Sequence, residues 1–230
     1  MAQKKTNKKM SKAQQAQQQK KEQKVVMIVA AVLIVALLAV LTVALVNADW
    51  SEILKKTGDG ATLETAKATH YVTIEIENYG TLKGELYGKT TPYAVEQFVT
   101  LAQSGFYEGL TFHRIIEGFM MQGGAPNADS PKVDPIVGEF AENGIENNLL
   151  HLPGVLSMAR TNDPNSATSQ FFIMHKEYPS LDGKYAAFGR ITEGLDIVDK
   201  ICTEIENTDS NGGVAAADQP VIKSVTVTKA

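Results

Sequence analysis

Tyr71-Val72-Thr73-Ile74-Glu75-Ile76-Glu77 and Thr81-Leu82-Lys83-Gly84-Glu85-Leu86-Tyr87 flank the turn Asn78-Tyr79-Gly80, and this stretch decides the fold class. Apolar and polar side chains alternate with period two on both arms, so each arm buries one face as a strand. A short connection containing Gly joins such arms into an antiparallel hairpin. C-terminal to it, Thr91-Pro92 opens a helix, with Thr as N-cap and Pro as first helical residue. Val95, Phe98, Val99 and Ala102 then line one helical face, and Gly105 ends it. Further short strands are expected near residues 111–115, 119–122, 155–158, 171–174 and 187–191, and a last alternating strand at 221–228. Residues 194–202 read as a second helix with Leu195, Val198 and Cys202 as its inner face. The expectation is a mainly β domain, a closed eight-stranded antiparallel β-barrel capped by two helices. Residues 125–148 lack a period, and a loop of that length in a compact domain is usually functional or mobile.

The N-terminal quarter has a different character. Residues 1–24 carry eight Lys against one Glu, a balance of +7; with −4 for the whole chain, residues 25–230 carry −11. The basic character is confined to a tail expected to be solvated and cytoplasmic, which argues against a nucleic-acid-binding domain. Residues 25–46 are apolar apart from Thr42. As a helix they extend about 33 Å, enough for a hydrocarbon core of roughly 30 Å, and they are expected to form one transmembrane helix. Lys20, Lys21 and Lys24 precede the run while Asp49 and Glu52 follow it, which places the N-terminus in the cytoplasm and the rest outside the cell membrane. Trp50 suits the interface. The alternative is a signal peptide cut near Ala48, after Val46-Asn47, giving a secreted protein. Residues 47–69 read as a linker, with Gly58-Asp59-Gly60 and a helical turn around 51–56, leading into a domain at 70–230. Cys202 stands alone, so no intramolecular disulfide or cysteine-based metal site is expected.

Two segments are too unusual to be plain strands: Phe112-His113-Arg114-Ile115-Ile116-Glu117-Gly118-Phe119-Met120-Met121-Gln122-Gly123-Gly124, and the run from Leu156 to Ile173 that ends in Ser169-Gln170-Phe171-Phe172-Ile173. Alternation along 119–122 puts Phe119 and Met121 on one face, Met120 and Gln122 on the other. A Gln on an apolar face usually reaches a ligand or satisfies backbone groups. These segments, with Leu181-Asp182-Gly183-Lys184-Tyr185-Ala186-Ala187-Phe188-Gly189, resemble the signatures of the cyclophilins, in order over about 160 residues, and look most like the bacterial branch.

The resemblance implies a barrel of eight antiparallel strands with two helices, and a peptidyl-prolyl cis/trans isomerase acting on proline-containing polypeptides. Rotation about the bond before proline faces a barrier of ~18–20 kcal/mol because resonance gives the bond double-bond character. Carried onto this sequence, the catalytic cation is Arg114, aimed at the proline nitrogen as it regains a lone pair. The proline pocket maps to Phe119, Met120, Phe172 and Leu181, with Tyr185 where many members have His. Gln122 is expected to orient Arg114 or the substrate, while backbone groups at Ala159, Arg160 and Thr161 and the Gln170 side chain hold the residues before proline. Phe112, Phe171 and Ile173 are assigned to the core. The family's frequent rim Trp aligns with Ser180, and Asn is common where Arg160 stands; both departures bear on cyclosporin affinity and substrate preference. No cofactor or metal is expected: His70, His113, His151 and His175 show no ligand spacing, and His113 reads as a hydrogen-bonding group. The domain is expected to act as a monomer held to the membrane by its helix. A non-catalytic groove that only holds proline segments is the other reading.

Overall fold

The computed structural model describes residues 62–230. The basic tail, the transmembrane helix expected at 25–46 and the helical turn expected around 51–56 lie outside the described residues. Among those described, no helix is long and apolar enough to cross a membrane.

The hairpin forms as its alternation requires. β1 (His70–Ile76) and β2 (Gly80–Leu86) pair antiparallel, with Val72, Ile74, Ile76, Leu82 and Leu86 buried. The turn tolerates Asn78 at φ 64°, one of the few residue types that enters this region readily. Then follow α1 (Pro92–Gln103), β3 (Phe112–Ile116), β4 (Met120–Gly123), β5 (Val155–Met158), β6 (Phe171–Met174), β7 (Ala187–Glu193), α2 (Leu195–Glu204) and β8 (Ile222–Lys229). All pairings are antiparallel, in the order β3-β4-β6-β5-β7-β2-β1-β8.

The sheet curls but does not close, contrary to the closed barrel expected. β3 and β8 have no ladder between them. They meet at their approaches, through the Thr111–Val221 bridge and the hydrogen bonds Phe112 N–H to Pro220 C=O (2.9 Å), Ile222 N–H to Leu110 C=O (2.8 Å) and Gly109 N–H to Ile222 C=O (2.9 Å). Beyond that point the free edge of β3 is taken by another segment. Ile115 N–H donates to Gly212 C=O (2.8 Å) and Val214 N–H to His113 C=O (3.1 Å), with Arg114 bridged to Gly213. A strand edge already paired by a loop has no backbone groups left for β8.

The first helix, α1, buries Ala94, Val95, Phe98, Leu101 and Ala102 in the main core. Phe98 is the hub: its ring lies 5.2 Å from Tyr107, 5.3 Å edge-on from Phe171 and 5.2 Å from Phe188. The second helix buries Val198, Ile201 and Cys202. Leu195, expected on that inner face, is exposed: it is the first helical residue after Gly194, whose φ of +89° turns the chain into the helix. The free Cys202 thiol is buried, and burial pushes its pKa up to about 12, as fits an inert core hydrophobe.

Thr91 does occupy the N-cap of α1, but its hydroxyl makes no cap bond and turns back to Tyr87 C=O (3.5 Å). The capping acceptor comes from afar. Glu139, fully buried, takes Tyr93 N–H on one carboxylate oxygen (3.1 Å) and Ala94 N–H on the other (2.8 Å). The long 125–148 loop is thereby pinned to α1. Further along it, Ile136 bridges Ala167 and Asn147 donates to the carbonyls of Glu139 (2.8 Å) and Ala187 (3.0 Å). The last part of the segment expected to be a linker is instead docked: Leu63 and Ala66 pack against the domain and Thr69 N–H bonds Leu86 C=O (2.8 Å).

Two outcomes follow for stability. Phe98→Ala should cost roughly 3–5 kcal/mol in denaturant unfolding, because a large aromatic vacates a packed centre. Burial raises the Glu139 carboxyl to about 7 against the pull of its two N–H donors. The folded chain therefore holds a proton that the unfolded chain releases near pH 4.5, so this group's contribution is full below that pH and lost as pH rises to about 7. Measured from pH 5 to 8, the parent should lose more stability than Glu139→Gln, by up to roughly 3 kcal/mol; parallel pH profiles would contradict this.

Candidate active site

Strands β4, β5 and β6 are buried on both faces. Met121, Leu156, Met158, Phe171 and Ile173 point into the main core; Met120, Val155, Phe172 and Met174 belong to a second apolar cluster outside the sheet. The register sets Gln122 opposite Phe172 and Phe172 opposite Ser157, so the outer face of these strands forms a continuous floor. A cavity of about 200 Å³ lies on it, lined by Arg114, Phe119, Met120, Gln122, Ala159, Arg160, Phe172, Leu181 and Tyr185. Nine of the residues picked out in the sequence thus come together. Thr161 and Gln170, the other two, adjoin the cavity without lining it. Phe112, Phe171 and Ile173 are core, as assigned.

The face of Phe119 differs from the alternation reading. It shares the outer cluster with Met120, not the core with Met121. The residue precedes β4, in a turn where Gly118 takes φ +77°, so the strand period does not reach it.

Arg114 is half-buried at the cavity edge and held from two sides. Nε donates to Asn211 C=O (2.7 Å) and Nη1 to Gln122 Oε1 (3.3 Å), with Met120 Sδ at 3.9 Å. Gln122 Nε2 in turn donates to Gln170 Oε1 (3.0 Å), which fixes the amide so that its oxygen faces the guanidinium. Gln122 thus touches Arg114, and Gln170 stands behind it. The role of Asn211 carries no side-chain signal: only its carbonyl is used.

The backbone of Ala159–Thr161 is partly committed. Ala159 N–H donates to Gln170 C=O (3.0 Å), Thr161 N–H to Ser166 Oγ (2.9 Å), and Thr161 C=O accepts from Arg160 Nη1 (2.8 Å). The N–H and C=O of Arg160 and the C=O of Ala159 have no partner among the described residues and are available to an extended peptide. The Arg160 side chain is a wall. Its guanidinium lies 4.5 Å over Tyr185 and 5.0 Å over Phe140, and Nε and Nη2 donate to Lys184 C=O (3.1 and 2.7 Å). Ser180 stands where the family's frequent rim Trp aligns, and the exposed ring of Tyr178 lies 4.4 Å from Phe119.

Two histidines brace the cavity from behind. His151 Nδ1–H donates to Asp182 Oδ1 (2.9 Å), and Nε2 accepts from Ser157 Oγ (3.0 Å); the ring stacks 6.0 Å from Phe172. This is the connectivity of a nucleophilic triad, yet Ser157 is 0% and His151 1% exposed, so no substrate reaches the hydroxyl. Burial lowers the His151 pKa despite Asp182, and the neutral ring positions Phe172 and the residue after Leu181. His175 accepts Gly118 N–H at Nδ1 (3.0 Å) and donates from Nε2 to Asp199 (2.8 Å), tying down the turn before Phe119. His113, beside the arginine and read as a hydrogen-bonding group, has a buried Nδ1 that makes no hydrogen bond, and its pKa is lowered chiefly by burial. No group of three or more His, Cys, Asp or Glu suited to a metal occurs among the described residues.

Residues 71–230 match a family model described as "Cyclophilin type peptidyl-prolyl cis-trans isomerase/CLD". A peptidyl-prolyl cis-trans isomerase of Streptomyces antibioticus is 39% identical over 162 residues, covering 65% of this chain and 94% of that protein. A longer relative from Gibberella zeae, peptidyl-prolyl cis-trans isomerase-like 2, is 34% identical over 162 residues; the match spans 70% of this chain and 27% of the relative. Among solved structures, a Cryptosporidium parvum cyclophilin-type isomerase, crystallised in the presence of the dipeptide Ala-Pro, has 30% identity and a TM-score of 0.59, covering 70% of this chain and 99% of that one. A match over this length, on a sheet whose outer face carries the motif residues, settles the family: the chain belongs to the cyclophilin-type peptidyl-prolyl cis-trans isomerases.

Proposed function

We propose that the domain accelerates cis/trans isomerisation of X-Pro bonds in polypeptides folding outside the membrane, with Arg114 as the catalytic residue. The observation that carries this is a guanidinium fixed at the edge of an apolar cavity of about 200 Å³. The proline ring sits on Met120, Phe172 and Leu181, with Phe119 and Tyr185 at the sides. The free backbone groups of Ala159 and Arg160 hold the residues before it. In the ground state the amide nitrogen is conjugated and a poor acceptor. As the bond twists it regains its lone pair, and a fixed cation favours that state over either planar isomer. Arg114 is already oriented, so little reorganisation is needed when the charge distribution changes. No bond is made or broken and no proton moves.

A groove that only holds proline segments does not need a cation at its edge. In a protease-coupled assay on an Ala-Pro peptide, the full chain in detergent should be active, and Arg114→Ala should lose roughly 10²- to 10³-fold in kcat/KM. A variant as active as the parent would return the domain to a binding role. Arg114→Lys should recover little, since an ammonium cannot serve Asn211 and Gln122 while facing the substrate.

The location is proposed on the sequence alone. Residues 25–46 hold the domain on the outer side of the cell membrane, residues 1–24 lie in the cytoplasm, and 47–69 connect the two. Membrane fractions should contain a mature protein that retains its N-terminus by mass; loss of residues 1–48 would sink the anchor and leave a secreted enzyme.

A further inference from the structure

We propose that the turn at residues 209–213 is a positioning element for Arg114, and that Asp209 is the positioning residue that acts through it. This rests on the reading of Arg114 as the catalytic cation.

Arg114 has five N–H donors, and how they are shared decides what the guanidinium offers. Nε goes to Asn211 C=O at 2.7 Å, its shortest contact, and one Nη1 donor goes to Gln122. Nη2 has no acceptor among the described residues. An arginine fixed through Nε cannot rotate about its last torsions without losing that bond, so the unengaged end keeps its direction. Gln122 alone, at 3.3 Å, is a weaker restraint.

The Asn211 carbonyl is itself built into place. Asp209 Oδ1 accepts Asn211 N–H (2.7 Å) and Gly213 N–H (3.1 Å), and Asp209 C=O accepts Gly212 N–H (3.2 Å). Thr208 closes the base of the turn, its N–H (2.7 Å) and hydroxyl (3.0 Å) both on Gly213 C=O. Gly212, at φ +86°, lies so close to Ile116 that a Cβ would strike its side chain. The turn is bolted to β3 at Ile115 and His113, the two neighbours of Arg114. A carboxylate on an exposed turn thus determines where a carbonyl stands, and that carbonyl determines where the guanidinium points. The two N–H donors also hold the Asp209 carboxyl below its usual range.

The test uses the full chain and its variants Asp209→Ala, Asp209→Asn and Arg114→Ala. Asp209→Ala should lower kcat roughly 10-fold with KM changed less than about twofold, since an ångström of misplacement is felt in the twisted state rather than in ground-state binding. Asp209→Asn, whose amide oxygen accepts the same N–H groups, should restore most of the rate. By NMR, solvent exchange of the Arg114 Nε proton should quicken in Asp209→Ala and return towards the parent in Asp209→Asn. Asp209→Ala with parental kcat, a loss that Asn does not restore, or an unchanged Nε exchange rate would each overturn the proposal. Parental activity in Arg114→Ala would instead remove the reading on which it rests. An inactive Arg114→Ala beside a fully active Asp209→Ala defeats the proposal alone.

Discussion

The double burial of β6 is the constraint on which both the fold and the site depend. Four successive apolar residues, Phe171 to Met174, are all buried. Because side chains alternate across a strand, Phe171 and Ile173 complete the core around Phe98 while Phe172 and Met174 build the outer cluster. A slip of one residue in the pairing with β4 or β5 exchanges the two sets, replacing the cavity floor and the core together. The pocket therefore needs no separate scaffold. Its floor is held in register by the same ladder that closes the hydrophobic interior, and Leu149, Leu152, Leu181 and Tyr185 pack against the same outer cluster.

How much of this could be read in the sequence follows from the range of each interaction. The β1–β2 hairpin and the apolar face of α1 were legible because alternation and helical spacing are local. So was the meeting of Arg114, Phe119, Met120, Gln122 and Phe172, through the resemblance of their motifs. The face of Phe119 was misread because the strand period was extended one residue into a turn. The closed barrel failed for a different reason: counting strands does not reveal that the edge of β3 is occupied by Gly212–Val214. Glu139 as a cap, and His151 and His175 as braces, join residues far apart in sequence. Their only local signal is a lone ionisable group in apolar company, as in Val137-Gly138-Glu139-Phe140.

The cavity is lined by two guanidinium groups, Arg114 and Arg160, among uncharged side chains. His113 and His151 are kept uncharged mainly by burial, and the Arg160 charge is spread over two rings and two backbone carbonyls. Arg114 is the guanidinium whose outward donors remain unspent, in keeping with a reaction in which charge is redistributed within one amide and nothing is transferred.

The ends of the domain meet. Ala230 N–H bonds Thr69 C=O at 3.0 Å, and Thr69 N–H bonds Leu86 C=O, so Thr69 and Ala230 lie side by side at the ends of adjacent strands. Mechanically this is a zipper rather than a shear clamp. Tension between the two ends loads the β1–β8 hydrogen bonds one at a time, beginning with the pair nearest the load. A partner fused after Ala230 would emerge beside Thr69, and force passed between the two would bypass the strands that carry the pocket.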